Sequence, residues 1–166
     1  MTLLIAAVGA TLTALLELTV GPYLSVGTAQ PHLVLVVGIV VTAGIGLEAG
    51  LVWAFLGGLV VDVLAQRPLG STAFALLLCV GFTAVLCRFL VRLRPVVPIV
   101  ATLLLSLPYS MILFMTFNAL RTPIPVSDPV AILLPGVVYD VIVAALLGPL
   151  AISIHDRRVE TERLDW

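Results

Sequence analysis

The side chains of this chain that could do chemistry are few and widely spaced. Four carboxylates, Glu17, Glu48, Asp62 and Asp140, fall inside or at the edges of long apolar runs. A carboxylate at membrane depth is costly without a partner, so each of them must be placed. Asp140 follows Tyr139 near the middle of the last apolar run, and the two together form a candidate polar cavity in the protein interior. Asp62 closes the third run, close to the interface. A contact with another protein, a cap on the following turn, or an ion pair with Arg67 would each satisfy it. Glu17 and Glu48 lie near run ends and are expected to reach the headgroup region.

Other chemistries find less support. His32 and His155 have no second ligand at a metal-binding spacing, so no metal and no cofactor is expected. Ser71, Ser106 and Ser110 lack a neighbouring His or Lys in any nucleophile arrangement, and there is no glycine-rich phosphate loop. The expectation is a protein that is not an enzyme. Cys79 and Cys87 would stand about 12 Å apart on one helix, too far for a disulfide.

The elements that must position these groups follow from composition. Of 166 residues, 61% are hydrophobic and 10% charged, and there is no lysine. The mean hydropathy is +1.26. A soluble domain carries about 25% charged residues, so the solvent of this chain is the bilayer. A net charge of -1 excludes the clustered basic face of a nucleic-acid binder. The start, Met1-Thr2-Leu3-Leu4, has no basic region or small-residue cleavage site, so the first helix is expected to be retained.

Apolar runs without period-two alternation read as helices. They predict an all-α polytopic bundle of about six transmembrane helices, near 3–20, 31–46, 47–65, 69–91, 96–118 and 130–154, with a kink at Pro108. Residues 1–154 form a single transmembrane domain. Residues 155–166 hold seven of the seventeen charged side chains and read as a short cytoplasmic tail. The linker Arg121–Pro129 is proline-rich and is expected to be extended. With the N-terminus inside, Arg88, Arg92, Arg94, Arg157, Arg158 and Arg163 lie on the cytoplasmic side, against Arg67 and Arg121 outside. Both termini are therefore expected in the cytoplasm.

Small residues recur every four positions on the third run, at Gly46, Gly50, Ala54 and Gly58, and the series ends at Asp62. The first run carries Ala6, Ala10 and Ala14 at the same spacing. Such stripes let helix backbones approach, either within the bundle or at a partner interface. The alanine stripe resembles the one by which S components of energy-coupling-factor vitamin transporters dock their scaffold subunit. Together with Asp140 and Tyr139 it motivates an alternative reading as a substrate-binding S component.

The order Gln30-Pro31-His32-Leu33-Val34-Leu35, then Gly46 to Gly58, then Leu59-Val60-Val61-Asp62-Val63-Leu64, then the turn Pro68-Leu69-Gly70 and Ser71-Thr72-Ala73 resembles the rod shape-determining MreD family. His32 stands where that family usually has an acidic residue. The resemblance implies a fold like that of the S components. It further implies a non-enzymatic subunit of the bacterial elongation complex in the cytoplasmic (inner) membrane, supporting lateral-wall peptidoglycan synthesis and cell shape. The implied partners are MreC, RodA with its penicillin-binding transpeptidase, MreB indirectly, membrane lipid and a second copy of the chain.

Overall fold

The computed structural model describes residues 1–25, 30–90, 96–120 and 129–164, with side chains described through 151 except at 129 and 131. Six helices follow one another: α1 (Thr2–Val20), α2 (Leu33–Gly44), α3 (Leu47–Leu64), α4 (Ser71–Phe89), α5 (Val97–Leu120) and α6 (Pro129–Leu164). There is no strand among the described residues. Five of the helices contain a stretch long and apolar enough to cross a membrane, whereas α2 has only 12 residues. Large apolar side chains such as Leu16, Phe55, Phe82, Leu104 and Ile142 face outward while Glu17, Asp62 and Asp140 are buried. Apolar outside and polar inside is the arrangement that lipid favours. The molecule is a polytopic membrane bundle.

The shortest helix is the central one, because α2 packs against each of the other five. Eight of its 12 residues are buried. Its neighbours approach closely through small residues. The indole of Trp53 on α3 lies between Gly9 of α1 and Gly38 of α2, where an added Cβ would come within 2.8 and 3.0 Å of the ring. Its Nε1 donates to the Val34 carbonyl at 3.1 Å, tying α3 to the first turn of α2. A Cβ on Gly58 would stand 2.3 Å from the Ala73 Cα, so α3 and α4 meet backbone to backbone. Van der Waals contact of this kind holds helices together where lipid supplies no hydrophobic drive.

Two glycines close the turns around α3. Gly46, before it, has φ 129°, and Gly70, before α4, has φ 89°. Side-chain-bearing residues rarely adopt either value.

The sequence-based bounds shift in several helices, and α4 runs Ser71–Phe89 instead of 69–91. The second helix starts at Leu33 instead of Pro31: His32 is its N-cap, with non-helical φ -91° and ψ 76°, and its N–H is bonded by a side chain of α6. The fifth is continuous from Val97 to Leu120 through Pro108. The sixth continues past 154 as far as Leu164. The linker at 121–128 and Arg92, Arg94 and Pro95 lie outside the described residues, as do the side chains of the tail.

Candidate functional site

Helices α2 and α4 begin at the same end of the bundle, where α1, α3 and α5 finish. The first N–H groups of any helix have no partner within it. Buried inside the bundle they need acceptors from elsewhere in the protein, and here three buried carboxylates supply them.

Asp62, on the last turn of α3, accepts from the Gly70 N–H at 2.9 Å, from the Thr72 N–H at 3.1 and 3.2 Å, and from the Ser71 hydroxyl at 3.1 Å. It is a cap for α4 and fully buried. A negative charge here also meets the positive end of the helix dipole. Of the three roles open to Asp62, the observed one is the bond to the following turn. Arg67 instead turns its guanidinium toward the Thr72 hydroxyl, at 3.5 Å.

Glu17 does not reach outward to the headgroups. Its carboxylate accepts from the Val34 N–H at 2.7 Å, inside the first turn of α2, and the residue is 9% exposed. The reason is its face: Glu17 continues the stripe Ala6, Ala10, Ala14, three residues after the last alanine, and that whole stripe is buried. Glu48, by contrast, is exposed at the opposite end.

Asp140 joins α6 to α2 and α5. It accepts from the His32 N–H at 2.7 Å, from His32 Nδ1 at 2.9 Å and from the Ser106 hydroxyl. The tyrosine at this cluster is Tyr109 on α5, whose ring meets the His32 imidazole edge-on with centroids 5.3 Å apart. Tyr139 is half-exposed. Consecutive residues on a helix diverge by about 100°, and Asp140 takes its hydrogen bonds from His32 and Ser106. The signal that would have found Tyr109 is the polar stripe Thr102, Ser106, Tyr109 and Ser110 on one face of α5. All four are buried, and the hydroxyls of Thr102 and Tyr109 find no partner among the described residues.

The small-residue ridge is consumed inside the bundle. Gly50 faces Thr42 of α2 and Val80 of α4, Gly58 faces Ala73, and Ala54 is fully buried. Gly46 sits apart, in the turn, with open space around it. Ala10 of the α1 stripe lies against Gly57 of α3.

A cavity of about 320 Å³ opens beside the capped end, among His32, Arg67, Pro68, Ser71 and the last turns of α5. No group of three or more His, Cys, Asp and Glu side chains placed to hold a metal occurs among the described residues. Neither Cys79 nor Cys87 is in a disulfide.

Fold and site together define the class: a polytopic all-α membrane protein whose central helix is held by buried carboxylates. No protein-family model, curated protein or solved structure matches the chain.

Proposed function

We propose that the chain is a non-enzymatic scaffold of the MreD type, which holds MreC in the bacterial cytoplasmic membrane and supports wall synthesis by RodA and its transpeptidase partner. The observation that carries this reading is the convergence of the family-like segment. Its separated pieces, Pro31-His32, Asp62, Pro68-Leu69-Gly70 and Ser71-Thr72, meet at one end of the bundle, with Asp62 bonded directly to Gly70, Ser71 and Thr72. Residues spread over more than forty positions of sequence thus form one structural unit.

The carrier reading loses one of its two supports. Its docking stripe, Ala6, Ala10 and Ala14, is between 0% and 5% exposed, so a scaffold subunit outside the bundle has no access to it. Any partner helix must instead lie against the outward apolar faces.

Co-purification with MreC in mild detergent tests the proposal. Recovery of MreC with the folded chain is the expected result, and failure to recover it from folded protein overturns the reading. Reporter fusions after Trp166 and within Pro123–Pro129 test the proposed orientation, with the first expected in the cytoplasm and the second outside. The reverse pattern would invert the orientation of every loop.

A further inference from the structure

The cavity beside the capped end is independent of the scaffold reading, and its lining is chemically one-sided. It carries two basic side chains, Arg67 and His32, two hydroxyls, Ser71 and Ser110, and an apolar wall that includes Phe114 and Phe117. Among the described residues no carboxylate lines it. The three acidic groups nearby are already engaged: Asp62 with the start of α4, Glu17 with Val34, and Asp140 with His32 and Ser106. Asp62 and Asp140 bond two of the lining side chains, Ser71 and His32, from behind, so each acidic group already has its own donors.

Arg67 is the odd member. Among the described residues the ion pair formed is His32 with Asp140, and none of their carboxylates lies within ion-pair distance of Arg67. Its one side-chain hydrogen bond, to Thr72, is at the 3.5 Å limit. A guanidinium is permanently charged and presents a planar fork that suits phosphate oxygens. Half-buried at a membrane interface, it calls for an anion.

Depth and shape narrow the class of anion. Arg67 follows the end of α3 and Ser71 opens α4, which puts the polar lining at helix ends, at the level of the headgroups. Phe114 and Phe117 lie one turn apart toward the end of α5 and form a greasy side to the same space. A soluble anion has no use for that side, whereas an acyl chain does. At about 320 Å³ the space is near the lower end for ligand pockets. It admits a headgroup and the first part of one chain and leaves the remainder in the bilayer.

We infer that this cavity binds the phosphate of an anionic phospholipid, with Arg67 on the phosphate, Ser110 as a further hydrogen-bond donor, and Phe114 and Phe117 against the acyl chain. Native mass spectrometry of the purified full chain, titrated with phosphatidylglycerol, reads the binding directly. Diacylglycerol with the same chains tests the phosphate, and glycerol phosphate tests the chains. Phosphatidylglycerol should be retained, and neither half of it should bind or compete comparably. Arg67→Gln should weaken retention about tenfold, the scale of one lost charge-assisted hydrogen bond, while Arg67→Lys, which keeps the charge and loses the fork, should fall between Arg67→Gln and wild type. Circular dichroism confirms unchanged helix content. Equal retention by Arg67→Gln, or retention of diacylglycerol as strong as that of the phospholipid, overturns the site. Glycerol phosphate competing as well as the lipid overturns the lipid in favour of a soluble phosphate. The wild-type comparison of the three ligands decides even if a variant fails to fold. None of these outcomes depends on MreC.

Discussion

The two ends of the bundle solve the same problem differently. Where α2 and α4 begin, their first N–H groups are buried and bonded to Glu17, Asp140 and Asp62, carboxylates borrowed from α1, α6 and α3. Where α3 begins, at the opposite end, Gly46 offers no side-chain cap, Glu48 is exposed, and the surroundings form a wide depression of about 860 Å³ against the first residues of α1. A helix end near water can satisfy its donors there, but one enclosed by protein and lipid cannot. Acidic residues at the two ends therefore have different meanings. At the enclosed end each one joins its own helix to at least one other, and among the described residues Glu48, at the open end, joins none.

The comparison can be broken most severely at Gly58. With the Ala73 backbone 2.3 Å from an added Cβ, Gly58→Leu must drive α3 from α4. The expected cost is about 3 kcal/mol or more, read as loss of monodisperse protein after detergent extraction. Gly44, at the open end, has nothing within 4 Å of an added Cβ, so Gly44→Ala should extract like wild type. Equal behaviour of the two variants would mean that α3 and α4 are not packed as described.

Asp62→Ala comes next. It leaves the Gly70 and Thr72 N–H groups and the Ser71 hydroxyl without their acceptor. Unsatisfied buried donors cost about 1 to 3 kcal/mol each before relaxation, and the expected net loss is about 3 kcal/mol in denaturant titration of the detergent-solubilised protein. Asp62→Asn keeps one acceptor oxygen and should lose less. An unchanged midpoint for Asp62→Ala would remove the distinction between the ends.

Glu17→Ala removes a single acceptor, that of Val34, and should cost about 2 kcal/mol, with Glu17→Gln retaining part of it. Glu48→Ala, at the exposed site, should stay within about 0.5 kcal/mol of wild type. If Glu48→Ala costs as much as Glu17→Ala in the same titration, exposure is not what separates the two glutamates.

Much of the fold was legible in the sequence, because apolar runs and turn residues are local signals. Six runs predict six helices, and the turns at Gly46 and Gly70 coincide with the positive φ values found there. The site was legible only in part. Asp62 is nine residues from Ser71, near enough for a cap to be anticipated, whereas Asp140 is 108 residues from His32 and 34 from Ser106. No local spacing encodes contacts of that range. Glu17 is instructive, because position along a run suggests a headgroup contact while helical phase puts it on the buried alanine stripe. Phase was the better guide, since it determines which neighbour a side chain meets, and depth alone does not. The same rule separates Asp140 from Tyr139, neighbours in sequence that point apart.

The brevity of α2 bears on how the protein fits its membrane. Twelve residues at the α-helical rise extend about 18 Å, well short of a hydrocarbon layer roughly 30 Å thick. A helix so short, were it bathed in lipid, would force the bilayer to thin around it. Because α2 is enclosed by the other five helices, hydrophobic mismatch is felt instead by the outer ones, and α1, α3 and α4 extend about 27 to 29 Å. The lead-in to α2 can remain non-helical at depth since Asp140 and Glu17 take up its amide hydrogens. Bilayer thickness is thus matched at the rim of the protein, and the centre is free of that constraint.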